Sequence, residues 1–154
     1  MRKKLVVFIP VIVFLIFSII NSQYSNVEDK ILDDINIGGA NNSDFVVELL
    51  LIDEPNEDFY ICVGETTYGN ICVLAIEYNS SSVAHAVKRT VSKDEMFSIS
   101  NDLLKIDDKK IKFGFIGQTD ENDLQTNTSQ IKEIPFSYFV NEKEEKATFF
   151  YYFE

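Results

Sequence analysis

Residues 59–78 read FYICVGETTYGNICVLAIEY. They consist of two apolar segments with a polar stretch between them. The segments Phe59–Val63 and Ile71–Tyr78 are rich in β-branched and aromatic side chains, which favour strands. Between them, Gly64–Asn70 contains glycine and asparagine, the residues that best tolerate the positive φ of a chain reversal. The pattern predicts a β-hairpin of two antiparallel strands.

Strand-like segments continue on both sides of this hairpin. Five more are recognised by apolar alternation or by short apolar runs: Phe45–Ile52, Val83–Val91, Lys110–Ile116, Ile131–Val140 and Ala147–Phe153. The segment Asp53–Asp58, which contains Pro55 and four acids, is predicted to be a loop. About seven strands at these spacings predict an all-β or β-rich domain, built as a single antiparallel sandwich or small barrel.

The two cysteines lie on opposite sides of the predicted hairpin. A register that pairs Val63 with Ile71 also pairs Cys62 with Cys72, and it brings their Cβ atoms within bonding reach. In an oxidising compartment this pair predicts a disulfide that stabilises the domain by roughly 2.5–3 kcal/mol. Two buried free thiols are the alternative. A metal site would need further ligands, and the single histidine, His85, lies in another segment, so no metal is predicted.

The N-terminus has the layout of an export signal. Three cations, Arg2–Lys4, precede a 16-residue apolar run, Leu5–Ile20, which is interrupted only by one proline and one serine. This length falls between a signal-peptide core of about 7–15 residues and a membrane-spanning helix of about 20 residues. Residues 1–22 are therefore predicted to be a cleaved signal peptide or an uncleaved membrane anchor. Both predict Sec-type export to the cell surface or the extracellular space, with membrane contact only through residues 1–22.

A short helix and a linker are predicted before the β domain. Ser25 and Glu28 fit the S-x-x-E capping box that begins many helices. Apolar residues follow at every fourth position from Val27, which predicts a helix over about Asn26–Asn36. The predicted organisation is a signal or anchor at 1–22, a short helix and linker at 23–44, and a β domain at 45–154.

Acidic residues dominate the charged side chains. The chain has 25 Asp and Glu against 14 Lys and Arg, and its formal net charge of −11 becomes −14 without residues 1–22, because three cations are lost. Nucleic acid is excluded as a partner, since phosphate binding requires a basic surface. Basic proteins are the partners that such a charge attracts, and the favoured alternative is that the charge serves only solubility.

Residue types suited to catalysis are sparse in this sequence. His85 lies among valines and alanines, so no nucleophile with a neighbouring base is recognisable. Paired loop carboxylates suited to glycoside hydrolysis do occur: Asp53/Glu54, Glu57/Asp58, Asp107/Asp108 and Asp120/Asp123. With 25 acids, such pairs are expected by chance. The Asp120–Asp123 segment, in a long polar loop, carries oxygen ligands suited to Ca²⁺ but lacks EF-hand spacing, so no cofactor is predicted.

The densest aromatic stretch is at residues 149–153, which read FFYYF. One interpretation is a ligand-stacking surface formed by Phe149, Tyr151 and Tyr152. The favoured interpretation is a central strand buried on both faces, since continuous apolar runs mark such strands. Pro135 in the preceding segment then predicts an edge strand or a bulge there.

The predicted function is that of an exported, non-enzymatic binding or interaction module of the cell envelope. Its partner is expected to be a protein or a cell-wall ligand of basic character. Two alternatives stay open: a secreted hydrolase that uses paired loop carboxylates, and an acidic immunity or inhibitor protein. The hydrolase differs from the others because it requires two acids to converge on one substrate.

Overall fold

A computed structural model describes residues 26–38, 44–79, 82–117 and 131–154. Within these ranges the chain forms one α-helix, eight β-strands and a 3₁₀-helix at Lys93–Ser98. The elements are α1 (Asn26–Gly38), β1 (Val46–Asn56), β2 (Phe59–Thr66), β3 (Ile71–Asn79), β4 (Ser82–Val91), β5 (Asp102–Ile106), β6 (Lys109–Gly117), β7 (Lys132–Val140) and β8 (Lys143–Phe153). The predicted signal or anchor, the linker at 39–43 and the Asp120–Asp123 loop lie outside the described residues. No helix in the described ranges is long and apolar enough to cross a membrane.

Two antiparallel four-stranded sheets make up most of the fold. The strand order is β1-β2-β3-β4 in the first sheet and β5-β6-β8-β7 in the second. Both sheets contribute side chains to one hydrophobic core, which includes Leu51, Phe59, Ile61, Val73, Ile111, Phe113, Phe149 and Tyr151. The prediction of a β-rich antiparallel fold is confirmed, and the strands form two sheets rather than a closed barrel. The arrangement is consistent with a β-sandwich.

The number and length of the strands differ from the sequence prediction. The sequence does not reveal β5, because this strand is short. It pairs with β6, and Asp102 lies opposite Phe113. The segment Asp53–Asp58, predicted to be a loop, instead extends β1 to Asn56. Pro55 is accommodated because β1 is an edge strand, where one side of the backbone needs no ladder partner.

Helix α1 packs on the outer face of the first sheet. Ile31 is 1% exposed and joins a second hydrophobic cluster with Cys62, Cys72 and Leu74. Asn36 fixes the end of the helix to the start of β1. Its Nδ2 donates to the Val46 carbonyl at 2.9 Å, and its Oδ1 accepts from the Val46 N–H at 3.2 Å.

The predicted hairpin is present, but its register differs from the prediction by two residues. Cys62 lies opposite Leu74, and Cys72 lies opposite Gly64. Because the shift is even, both cysteines stay on one face, but as diagonal neighbours whose Cα atoms are typically about 7–8 Å apart, beyond the usual Cα spacing of a disulfide. Both cysteines are free and buried. The predicted disulfide is therefore not formed, and the alternative of two buried thiols describes the structure.

Candidate functional site

A cleft opens between α1 and the first sheet, at the end of the sheet where β1 turns into β2. Its volume is about 100 Å³. The residues that line it are Val27, Lys30, Ile31, Asp58, Tyr60 and Tyr78. This cavity, here called the tyrosine cleft, therefore has walls from the helix, from the β1–β2 turn and from the β2–β3 hairpin.

Two tyrosines lie together in the cleft because the hairpin places them on one face. Tyr60 is opposite Ile76 in the ladder, so Tyr78, two residues further along β3, shares its face. Their rings meet edge to face, with centroids 5.7 Å apart and planes at 90°, a geometry that aromatic electrostatics favour. Asp58 is fixed beside them, because its carbonyl accepts from the Tyr78 N–H at 2.8 Å.

Helix α1 contributes a cation to the cleft. Lys30 and Ile31 follow Val27 by three and four positions, so both lie on the same side of the helix as Val27. The Lys30 Nζ lies 4.2 Å from the centroid of the Tyr78 ring, which is cation–π contact. None of the ion pairs among the described residues includes Lys30. The ammonium group is therefore held by the ring face rather than by a carboxylate.

Two buried oxygen atoms beside the cleft have no hydrogen bond of standard geometry among the described residues. They are the Tyr78 hydroxyl and the Asp34 Oδ2. Tyr78 is only 8% exposed. Burial raises the pKa of Tyr78, and the negative charge of the Asp34 carboxylate and its hydrogen-bonding contact with the hydroxyl raise it further. The Tyr78 hydroxyl is itself a donor, and the Asp34 carboxylate is the acceptor that it faces.

Carboxylates surround the other tyrosine as well. Burial raises the pKa of Tyr60, and the charges of Glu54 and Asp58 raise it further. The cleft thus combines two aromatic rings with three nearby carboxylates, counting Asp34. Ring faces and carboxylates both attract cations, and carboxylate and hydroxyl oxygens both accept hydrogen bonds. The arrangement suits a positively charged hydrogen-bond donor.

The aromatic residues singled out in the sequence lie elsewhere, on the second sheet. Phe149 and Tyr151 are 0% and 2% exposed and belong to the core between the sheets, so they offer no surface for stacking. Tyr152 is half-buried, and its hydroxyl donates to the Asn101 Oδ1 at 3.2 Å. β8 is a central strand and β7, with Pro135, is an edge strand, in agreement with the favoured interpretation of this stretch.

Two of the carboxylate pairs are engaged in contacts between the sheets. Asp53 accepts from the Tyr151 hydroxyl and from the Lys132 Nζ. Asp107 lies 3.2 Å from the His85 Nε2, and both side chains are about half exposed. No group of three or more metal-ligating side chains occurs in the described parts of the chain.

Sequence reasoning misses the tyrosine cleft, although part of its signal is present. Tyr60 and Tyr78 stand near the two outer ends of the hairpin, and Lys30 and Asp34 are one helical turn apart. What the sequence does not show is that α1 docks on this hairpin. That contact depends on Ile31 fitting against side chains more than 30 positions away.

Comparison of the chain with protein-family models, with curated proteins and with solved structures finds no match. Function is therefore inferred from the side chains around the tyrosine cleft.

Proposed function

We propose that the protein is an exported, non-enzymatic interaction module of the cell envelope that binds a basic partner protein through the tyrosine cleft. One observation carries this proposal: two tyrosine rings lie beside the carboxylates of Asp34, Glu54 and Asp58. The formal net charge of −11 supports it, because long-range attraction would steer a basic partner to the domain. In this proposal the two sheets form a β-sandwich that serves as a rigid scaffold for the cleft.

Export is supported by the cations of Arg2–Lys4 and the apolar run Leu5–Ile20. We expect the protein outside the cytoplasmic membrane when cells are fractionated. Intact-mass measurement then separates cleavage near Ser22 from retention of the whole segment as an anchor. Recovery of the protein from the cytosol alone would contradict the export part of the proposal and leave the binding part standing.

Binding is tested with Asp58→Asn, which removes one charge from the cleft. Asp58 has a φ of 61°, and asparagine tolerates this left-handed conformation well, so the β1–β2 turn is retained. We expect the affinity of the full-length protein for a lysine-rich peptide to fall about threefold to tenfold, and to fall further as ionic strength rises. The measurement is isothermal titration calorimetry at two salt concentrations.

The matched control is Asp94→Asn, which makes the same charge change at an exposed position of the 3₁₀-helix before β5. A specific cleft predicts a clearly smaller effect for Asp94→Asn than for Asp58→Asn. Equal effects would show that the peptide responds only to net charge, and the proposed site would be wrong.

A further inference from the structure

We propose that the outer edge of β4 is a second interface, at which an extended acidic segment of a partner protein adds as a further strand of the first sheet. This docking edge is separate from the tyrosine cleft, because the residues that line the cleft come from α1, the β1–β2 turn, β2 and β3. Two observations carry the inference: the regular, uncovered backbone of β4 and its lack of acids.

The two sheets end in four edge strands, β1, β4, β5 and β7, and three of these are protected against strand addition. The pairing of β1 with β2 contains three register shifts, and such irregularities bend an edge away from an incoming strand. β7 contains Pro135, which has no N–H to donate. β5 has only five residues, and a very short edge offers few backbone groups.

β4 has none of these protective features. Its ten residues include no proline, and its pairing with β3 runs without a register shift from Val91 to His85. In an antiparallel ladder every second residue directs its N–H and C=O groups away from the paired strand. β4 pairs with no other described strand, so these outward groups form a row that an extended peptide can bind.

The side chains of β4 leave this row accessible. Ala84, His85 and Ala86 are all exposed, and consecutive residues of a strand point to opposite faces of the sheet. Neither face is therefore covered in the middle of β4. The methyl groups of the two alanines are too short to screen the backbone, so an added strand can approach it closely.

The charges of β4 favour an acidic strand. β4 carries Lys88 and Arg89 and no Asp or Glu, whereas each of the other three edge strands has at least one acid. The Lys88 Nζ donates to the Asp44 backbone carbonyl at 2.6 Å. The Arg89 Nε contacts Asp102 at 2.8 Å, and the Arg89 side chain stays 58% exposed. Opposite charges on neighbouring strands stabilise their pairing, so acids of the added strand would lie beside these cations.

The same charges disfavour a second copy of the chain at this edge. Two copies would bring together two formal net charges of −11. Antiparallel pairing of β4 with itself would also add two more cations and no acid to the seam between the strands. A partner segment of opposite local charge is therefore the better fit.

Hydrogen exchange in wild-type protein tests the docking edge directly. The probe is the peptide VEVEVEV, and because Lys88 and Arg89 lie on opposite faces, either orientation of the peptide places a glutamate beside one of them. The salt concentration is about 0.15 M, where a Debye length of about 8 Å screens the distant acids of the domain. With the probe at about ten times its Kd, we expect about tenfold slower exchange at every second amide of β4. Amides of β1 and β7 should not change.

Charge variants test the preference for acids. For Arg89→Gln we expect about twofold to fivefold weaker binding of VEVEVEV. The matched control is Lys110→Gln on the central strand β6, which removes another half-exposed cation with one ion-pair partner and should leave the affinity unchanged. The peptide VKVKVKV should leave the β4 amides unprotected, wherever else it binds.

Proline variants test the backbone contact. Because neighbouring N–H groups alternate in direction, one of Ala86→Pro and Val87→Pro removes an outward N–H and the other removes an N–H bonded to β3. The more stable variant in urea is the one that keeps the bond to β3. We expect it to bind VEVEVEV at least about tenfold more weakly than wild type. If neither variant folds, hydrogen exchange in the wild-type protein decides.

Four results would overturn the docking edge. They are protection by VEVEVEV that is absent from β4, equal protection of β4 by VKVKVKV, wild-type affinity in the stable proline variant, and a free protein that sediments as a dimer with the same β4 amides already slow. Asp58→Asn should not change the binding of VEVEVEV. Failure of this inference therefore leaves the proposed function standing, and failure of the tyrosine cleft leaves this inference standing.

Discussion

Asp53 joins the two sheets through contacts that no sequence pattern reveals. Its side chain is 15% exposed and accepts from the Lys132 Nζ at 2.6 Å. The Tyr151 hydroxyl donates to its other oxygen, and burial with the contact to Asp53 raises the pKa of Tyr151. Asp53 and Tyr151 are 98 positions apart, so these partners are brought together only by the stacking of β1 over the β7 side of the second sheet.

Replacement of Tyr151 by Phe tests the strength of this contact. We expect Tyr151→Phe to lower the free energy of unfolding by about 1–3 kcal/mol, because the mostly buried Asp53 carboxylate loses a donor. Tyr152→Phe is the matched control: its hydroxyl bond to Asn101 is at the surface, and we expect a change of less than about 0.5 kcal/mol. Urea denaturation measures both, and equal losses would show that the Asp53 contact adds no stability.

At the scale of elements, the sequence predicts most strands but not their pairing. Alternation and apolar runs depend on local burial, so they locate β2, β3, β6 and β8 well. The hairpin register depends on where the turn closes, and Gly64 and Asn70 suit several turn lengths equally. Here Gly64 remains within β2. β5 is not predicted from the sequence, because its five residues are too few to show the alternation of a strand.

Two glycines of β6 give a sharp test of how closely neighbouring groups approach this strand. A Cβ at Gly114 would lie 2.5 Å from the Ile99 carbonyl oxygen and 2.5 Å from the Phe150 ring. We expect Gly114→Ala to cost about 1–3 kcal/mol of unfolding free energy, because a backbone atom has to move. At Gly117 the nearest atom, in Phe97, is 3.5 Å away. Gly117→Ala should therefore change the stability by less than about 0.5 kcal/mol, and similar urea midpoints for the two variants would contradict the close approach at Gly114.

At the scale of the whole molecule, packing of α1 and of the two sheets determines both the core and the site. On the side of β4 and β5, Arg89 contacts Asp102 at 2.8 Å and His85 contacts Asp107 at 3.2 Å. Such exposed pairs contribute less than about 1 kcal/mol each, so apolar burial supplies most of the stability.

The tyrosine cleft depends on the same packing of α1 and the two sheets. Periodicity predicts its helix and its hairpin separately, but the contact between them is set by shape complementarity that no local pattern encodes.

Global stability should decline at alkaline pH because two thiols are buried. Burial raises the pKa of Cys62 and of Cys72 to about 12, from an ordinary value of 9.0. Below pH 9 both states keep these protons, so the full stability is present. Above pH 9 the unfolded thiols ionise first, and stability is lost as the pH rises towards 12. Between pH 8 and 10 we expect a loss of about 2–3 kcal/mol for the pair.

Urea denaturation in the presence of a reductant, at several pH values, measures this decline. The double variant Cys62→Ala, Cys72→Ala should keep only the smaller decline, about 1–2 kcal/mol over the same range, that the tyrosines with raised pKa values contribute, whatever its stability at pH 8. A decline of the same size in the variant would assign the alkaline loss to groups other than the thiols.

The central position of β8 has a consequence for the order of events during synthesis. β7 lies at the edge of its sheet, and β8 is its partner there. At about 5–20 residues per second, a ribosome needs on the order of seconds to proceed from Ile111 to Phe153. During that interval Phe113 and Phe115 lack β8, the strand that pairs with β6 in the finished sheet, and exposed apolar surface of this kind is what chaperones bind. We therefore expect the second half of the nascent chain to leave the ribosome before its sheet is complete, which is the unfolded state that the proposed export through a translocation channel would require.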